Sequence, residues 1–221
     1  MCGIVGYVGP DEALPIVVEG LRRLGYRGYD SSGVAVLKDG LRVVKRAGKL
    51  SELDSALRET SSMAGTTAMG HTRWATHGAP TDLNAHPHTD CGGRVAVIHN
   101  GIIENFQSLR GRLEKAGHTL ASETDTECVA HLIEEKRAGG AASLSDAVRA
   151  AVGELEGAYS LVVCAQDAPG LHRLGRGDQH DVLGVTSDAC RNRGNALAHA
   201  RHVVRNIKVR FLRRAHYTTR L

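Results

Sequence analysis

Cys2 is the first residue of this chain whose type could do chemistry. A side chain this small allows the initiator methionine to be removed, which would leave a thiol and a free α-amine on one residue. An α-amine titrates near pH ~8, so a neutral fraction exists at cellular pH and can accept the thiol proton. The pattern predicts a nucleophile that carries its own base. The alternative is a small cysteine that merely begins a buried strand.

A second group of reactive side chains occupies residues 71–78 (HTRWATHG), which follow a predicted strand. The segment holds a guanidinium, an indole, two hydroxyls and two imidazoles. Arg73 is suited to bind a carboxylate through parallel N–H groups. The alternative is a solvated loop in which Trp74 is structural.

The histidines of this region also raise the question of a metal. They are His71, His77, His86 and His88. Their spacing matches no zinc signature, such as His-Glu-x-x-His or paired Cys-x-x-Cys motifs. We therefore predict no metal site and no cofactor.

Residues 99–101 (HNG) end an apolar run. Asn-Gly alone favours a turn, since both residues tolerate positive φ. The functional alternative is an oxyanion hole, in which the Asn100 amide and the Gly101 backbone N–H stabilise a negative oxygen by about 3 kcal/mol per donor.

Residues 122–127 (SETDTE) precede a predicted helix. Ser, Thr and Asp are ordinary N-caps there, and acidic groups favour the positive end of a helix. The alternative makes Asp125 the counter-charge of a bound ammonium.

Composition limits the class of protein. The 221 residues carry a net charge of +4, no stretch resembles a membrane span or a secretory signal, and five cysteines are scattered without paired spacing. We expect a cytoplasmic protein. Residues 171–221 hold ten Arg and one Lys against three Asp and no Glu, a balance of 11 − 3 = +8. This change predicts a domain over residues 2–170 and a basic tail over 171–221.

Hydrophobic periodicity predicts the elements that position these residues. Strands are predicted at 2–8, 34–37, 41–44, 66–74, 94–99 and 158–165, and helices at 11–24, 51–57, 104–115, 126–137 and 144–155. Asp39-Gly40 predicts a two-residue hairpin turn. Strands, then helices, then a returning strand indicate an α+β fold with antiparallel sheets. After Gly170 the periodicity fails, which predicts poorly specified structure.

Five segments together resemble the class II glutamine amidotransferases, which are N-terminal-nucleophile hydrolases. The segments are 2–6 (CGIVG), 26–33 (YRGYDSSG), 71–78 (HTRWATHG), 99–105 (HNGIIEN) and 122–127 (SETDTE). The resemblance covers about residues 2–165. It implies a four-layer αββα sandwich of two antiparallel sheets, incomplete at its C-terminus in this chain.

The resemblance also implies roles. Cys2 would attack the side-chain amide of L-glutamine, and Asn100 with Gly101 would hold the oxyanion. The substrate carboxylate and ammonium would be bound by Arg73, Trp74, Thr76, His77 and Asp125, and Arg27 and Tyr29 would shape a loop over the site.

The sequence departs from the family after residue 170. The family member with the best-matching motifs continues into a sugar-isomerase half, which this sequence lacks, and a frameshift or truncation would explain the basic tail. A homodimer and a partner isomerase domain or chain are further expectations. The alternatives are a catalytically impaired relic or dimerisation module, and a nucleic-acid binder acting through the tail. The tail has few aromatic residues and no recognised motif, so nucleic acid is not expected.

Overall fold

The computed structural model describes residues 2–61, 63–75, 77–176 and 182–185. The strands are β1 (Gly3–Val8), β2 (Ser31–Leu37), β3 (Leu41–Ala47), β4 (Thr67–Arg73), β5 (His88–Thr89), β6 (Val95–Ile103), β7 (Gly157–Ala165), β8 (Ala168–Arg176) and β9 (Val182–Val185). The helices are α1 (Ala13–Leu24), α2 (Leu50–Glu59), α3 (Phe106–Lys115), α4 (Asp125–Ala138) and α5 (Leu144–Val152). None of these described helices is long and apolar enough to cross a bilayer.

The strands form two sheets. One has the order β3-β2-β4-β1-β9 and the other β5-β6-β7-β8. Neighbouring strands are antiparallel, except that β9 runs parallel to β1. In β1 the pairing joins Gly3 to Thr72 and Val8 to Thr67, so the start of β1 lies beside the end of β4.

Three apolar clusters define four layers. Val5 and Val34 of the first sheet pack against α1 and α2, and Leu161 of the second sheet packs against α3, α4 and α5. Between the sheets, Ile4 and Met69 meet the other faces of β6 and β7. Strand residues alternate between faces, so each sheet buries both sides. The predicted α+β, four-layer sandwich is confirmed.

Two local predictions differ from the structure. Leu37 pairs with Leu41, so residues 38–40 form a three-residue hairpin loop instead of the predicted two-residue turn. Strand β6 continues to Ile103, so residues 99–101 lie in a strand and not in a turn. The reason is that β7 supplies a partner for every residue from Val95 to Ile103, and this pairing overrides the local preference of Asn-Gly.

The predicted boundary at Gly170 falls inside β8. Backbone pairing of β8 with β7 extends to Arg176, which pairs with Tyr159. Glycine and arginine interrupt the hydrophobic period over these residues, so the sequence pattern did not predict the strand. The strand forms because the free edge of β7 offers backbone hydrogen-bonding groups, which pair with the β8 backbone whatever its side chains are. Apart from residues 171–176 in β8 and residues 182–185 in β9, the predicted basic tail lies outside the described residues.

Gly33 provides a test of how closely the layers pack. A Cβ at this position would lie 2.2 Å from the backbone oxygen of His86 and 2.6 Å from Cβ of Lys45, whereas one at Gly40 would meet nothing within 4 Å. We expect Gly33→Ala to lower the free energy of unfolding by about 1–3 kcal/mol through overpacking, and Gly40→Ala to change it little. Urea unfolding of both variants measures this, and equal midpoints would contradict the close packing.

Candidate active site

Cys2 lies at the point where β1 begins beside the end of β4. The backbone N–H of Gly3 donates to Oγ1 of Thr72 at 3.1 Å, and the N–H of Trp74 donates to Sγ of Cys2 at 3.2 Å. The thiol in turn lies 3.7 Å from the Trp74 carbonyl oxygen. The sulfur is therefore held in place by backbone groups of the segment that follows β4.

The surroundings of Cys2 keep its thiol protonated. Burial raises the pKa of Cys2 above its ordinary value of 9.0, and this effect outweighs the opposing contributions of the Trp74 N–H, the chain terminus and Arg73. Since only the thiolate is a strong nucleophile, chemistry at this sulfur requires a base.

Asn100 connects the second sheet to Cys2. Its side-chain Nδ2 donates to the carbonyl oxygen of Cys2 at 3.4 Å, and its Oδ1 lies 2.8 Å from Nε2 of His71. Burial lowers the pKa of His71 to about 4, against the opposing hydrogen bond with Asn100. The imidazole is therefore neutral, with its Nε2–H donating to Asn100, and this bond turns the Asn100 amide nitrogen toward Cys2.

Gly101 follows Asn100 with a φ of +117°. A Cβ there would lie 2.2 Å from the Ala158 carbonyl oxygen and 2.7 Å from Cα of Tyr159. Only glycine satisfies both the conformation and the space. The glycine thus turns the backbone out of regular strand geometry directly beside the Asn100 side chain.

Arg73 is buried at the end of β4, with 4% of its surface exposed. Its guanidinium donates to the carbonyl oxygens of His77, Gly78 (3.2 Å) and Ala79 (3.4 Å), and it lies 4.0 Å from Oδ1 of Asp30. In this structure, therefore, the cation holds the loop over residues 77–79 in place.

Asp125 begins α4 and is 5% exposed. Its Oδ2 accepts a hydrogen bond from the Ile103 N–H at 3.0 Å, and its Oδ1 lies 3.7 Å from Nδ1 of His99. A carboxylate at a helix N-terminus is favoured by the helix dipole. The structure thus fixes this anion beside the end of β6, the strand that carries Asn100.

The remaining predicted residues are distributed around this centre. Trp74 is 54% exposed. The His77 ring packs 5.1 Å from Phe106, and its buried Nε2 has no hydrogen-bond partner among the described residues. Arg27 donates to the hydroxyl of Tyr26, and the Tyr29 hydroxyl accepts the N–H of Leu50 at 2.9 Å, at the start of α2. Thr76 lies outside the described residues.

Asp30 is a residue whose importance the sequence did not reveal. Its Oδ2 accepts the N–H of Ala75, its own N–H donates to the Arg73 carbonyl at 2.8 Å, and its carbonyl accepts the N–H of Gly48 at 2.6 Å. Through its side chain and its backbone, Asp30 thereby joins the start of β2 to the β3–α2 connection and to the end of β4 with its following loop. Its place at the end of YRGYD was the available signal.

Buried histidines and threonines form a polar layer that extends from His71, between the sheets, through the second sheet to the start of α4. Nδ1 of His99 lies 2.9 Å from Oγ1 of Thr126, which also lies 3.3 Å from Nε2 of His86. His88 lies 3.0 Å from Oγ1 of Thr124. The neighbouring His71 ring stacks on His86 with centroids 4.2 Å apart. Of the histidines considered as metal ligands in the sequence, His71, His86 and His88 are thus engaged with Asn100, with hydroxyl groups or with each other, whereas His77 packs on Phe106.

The chain was compared with known proteins. Residues 71–176 match the family model described as a glutamine amidotransferase domain. Glutamine–fructose-6-phosphate aminotransferase (isomerizing) of Streptomyces coelicolor is 59% identical over 186 residues, which are 84% of this chain and 30% of that protein. The enzyme of the same name from Pyrococcus horikoshii is 50% identical over 187 residues, with coverages of 84% and 31%.

The fold of this chain is also similar to that of a solved structure. The glutamine phosphoribosylpyrophosphate amidotransferase from B. subtilis, in complex with ADP and GMP, superposes with a TM-score of 0.62 and 28% identity. The match covers 75% of this chain and 35% of that chain.

The chain therefore belongs, through residues 71–176, to the glutamine amidotransferase family, and it has the N-terminal-nucleophile type of fold. Within that family it corresponds to the N-terminal, glutaminase region of glutamine–fructose-6-phosphate aminotransferases. It spans about a third of the length of these curated relatives, 30% and 31% for the two named above.

The buried histidines predict a pH dependence of stability. Burial lowers the pKa of His71 from 6.5 to about 4 and holds those of His86 and His88 well below 6.5. At a pH between the unfolded and folded pKa values, the unfolded chain binds more protons than the folded chain. The free energy of unfolding therefore falls as the pH drops from about 6.5 toward 4, by at least about 1 kcal/mol per pH unit.

Urea unfolding across this range, with a chelator present, measures the effect. Asn at position 71 cannot titrate, so His71→Asn reduces the slope. A wild-type midpoint that stays constant between pH 6.5 and 4.5 would show that these histidines are not buried neutral.

Proposed function

We propose that this domain hydrolyses L-glutamine to glutamate and ammonia through a thioester on Cys2. The observation that carries the proposal is the convergence of two sheets on one residue: the Trp74 N–H donates to Sγ of Cys2, and the Asn100 amide donates to the carbonyl oxygen of Cys2. Membership of the glutamine amidotransferase family supports the substrate class.

The first step requires deprotonation of a thiol whose pKa burial has raised. Once Met1 is removed, the α-amine of Cys2 is the nearest base, and no imidazole is needed. Sγ attacks the amide carbon of glutamine while the thiol proton moves to this amine. The same proton then passes to the leaving nitrogen, the C–N bond breaks, and ammonia departs. Water attacks the thioester, releases glutamate and restores the thiol.

Negative charge develops on the substrate oxygen in both tetrahedral intermediates. Nδ2 of Asn100 and the backbone N–H of Gly101 are the proposed donors. Preorganised donors of this kind stabilise the transition state because they need no reorientation during the reaction. His71 acts as a positioning residue, since its hydrogen bond to Oδ1 prevents the Asn100 amide from turning its oxygen toward the oxyanion.

The non-reacting end of glutamine carries one charge of each sign. We assign its carboxylate to Arg73, with Trp74, Thr76 and His77 around it, and its ammonium to Asp125. Arg73 now donates to three loop carbonyls, so binding of the carboxylate exchanges some of these bonds and draws the loop toward the substrate. Arg27 and Tyr29 shape the adjoining segment before β2.

The relatives are about three times longer and are named for the amination of fructose 6-phosphate. We propose that the ammonia released at Cys2 serves this reaction, which a sugar-isomerase domain or partner chain would complete. We also propose that the glutaminase unit extends beyond Gly170 to include β8 and β9, whose backbones pair with β7 and β1, that the residues after Val185 are a divergent tail, and that the chain forms a homodimer.

A glutamine-like diazoketone tests the nucleophile. We expect peptide mass spectrometry to find the label on Cys2 of a chain that lacks Met1, because this thiol lies beside a base and in the substrate site. Cys128 and Cys164 are internal controls, since burial raises the pKa of both to about 12. Label on these residues, with Cys2 unmodified, would exclude the proposed nucleophile. We also expect Cys2→Ala to abolish glutamate release.

Steady-state kinetics separate the two other roles. Asn100→Ala removes a donor used only in the transition state, so we expect kcat to fall ~100-fold or more. Arg73→Ala and Asp125→Ala remove charges that bind the non-reacting end, so KM rises about 10-fold or more while kcat changes less. An Asn100→Ala variant with unchanged kcat and a raised KM would refute the oxyanion assignment.

A further inference from the structure

Four side chains with metal-binding atoms meet on the side of the second sheet that faces α3 and α4. Cys91 lies in the turn between β5 and β6, His118 follows α3, and His131 and Glu134 lie one turn apart on α4. Their Sγ, Nδ1, Nδ1 and carboxylate oxygen atoms all lie within 4.8 Å of one another. None of these residues belongs to the site around Cys2.

The separations of these atoms fit a tetrahedron. Sγ of Cys91 lies 3.6 Å from Nδ1 of His118 and 3.4 Å from Nδ1 of His131. Oε2 of Glu134 lies 3.1 Å and 3.5 Å from the same two nitrogens. Bonds of about 2.3 Å to sulfur and about 2.0–2.1 Å to nitrogen or oxygen place the ligands of a tetrahedral zinc ion roughly 3.3–3.6 Å apart.

The charge of Glu127 favours the histidine tautomer that ligation requires. Nε2 of His131 is buried and lies 3.8 Å from Oε1 of Glu127. A proton on Nε2 faces this carboxylate, whereas a lone pair there would be repelled by it. The proton on Nε2 leaves a lone pair on Nδ1, which points into the cluster. A carboxylate behind a histidine is the usual outer partner of a metal ligand.

We propose that Cys91, His118, His131 and Glu134 bind one Zn²⁺ ion in a closed, structural site. One thiolate, two imidazoles and one carboxylate are the donors that zinc takes in proteins. Four protein ligands leave no open position for a substrate, so the ion joins the β5–β6 turn, the loop after α3 and α4. This differs from the sequence-based prediction of no metal, which considered other histidines.

The site also connects to the turn before α4. Glu127 accepts the N–H groups of Ala121 at 2.8 Å and Ser122 at 2.6 Å. The carboxylate behind His131 therefore also holds residues 121–122, close to Asp125. The zinc ion would thus stiffen the helix from which Asp125 projects, without touching substrate.

Metal analysis of the untagged full chain tests the proposal. We expect the wild type, dialysed after incubation with ZnSO₄, to retain about one zinc ion per chain. Cys91→Ser and Glu134→Gln each remove one ligand, so they should retain less than about a tenth of that amount. Glu114→Gln, which removes an exposed carboxylate at the end of α3, is the matched control and should retain zinc as the wild type does.

Two measurements on the wild type avoid any dependence on the folding of variants. Co²⁺ added to the metal-free chain should give a thiolate-to-metal charge-transfer band in the near ultraviolet, and Zn²⁺ should remove it. Zn²⁺ should also slow alkylation of Cys91 by iodoacetamide about 10-fold or more. The absence of retained zinc and of the cobalt band, or alkylation of Cys91 at an unchanged rate, would overturn the proposal, whatever the glutaminase activity.

Discussion

The backbone pairing of β1 with β4 is the constraint on which the candidate site depends. Its register joins Gly3 to Thr72, so Cys2 falls just beyond the last pair, where the Trp74 N–H reaches its sulfur. A slip of one residue would send every side chain of β1 to the opposite face. Small residues make this register and the packing of α1 on the sheet possible. A Cβ at Gly20 would lie 2.8 Å from Val5, and a Cβ at Gly70 would lie 2.6 Å from Val17.

A polar layer between the sheets extends this constraint to the second sheet. Away from the site the sheets meet through apolar side chains such as Ile4 and Ile98, but beside Cys2 they meet through neutral histidines. The His71–Asn100 bond crosses the gap. A neutral imidazole can orient an amide in this low-dielectric space without the desolvation cost of a charge. The arrangement orients the Asn100 amide, and it makes the fold sensitive to acid.

Local patterns predicted most of the fold and the centre of the site. Short-range hydrophobic periodicity predicted strand β1, helix α1 and the strand that ends at Arg73. The order of the five motifs indicated the family. The sequence could not show that Arg73 holds the loop at 77–79, because that contact depends on how the chain turns after β4. The hydroxyl of Tyr29 accepts the N–H of Leu50 at the start of α2, and the sequence alone could not indicate this partner.

Other features depend on contacts distant in the chain. The turn expected at Asn100-Gly101 is absent because β7, almost 60 residues further on, pairs with the whole of β6. The cluster at Cys91 was missed for the same reason: His118 and His131 lie 27 and 40 residues from it, spacings that match no zinc signature. Asp30 resembled an ordinary loop acid, because its partners come from two segments distant in the chain, residue 48 and residues 73–75.

The position of β1 between β4 and β9 has a consequence during synthesis. The strand is made before both of its neighbours in the sheet, residues 67–73 and 182–185. At roughly 5–20 residues per second, the 72 residues between Cys2 and Trp74 leave the nascent N-terminus uncovered for several seconds. On the proposed mechanism, an aminopeptidase has this interval in which to remove Met1, before β4 and Asn100 close around the terminus. On the same proposed mechanism, the speed of translation would contribute to the fraction of molecules that acquires a working nucleophile.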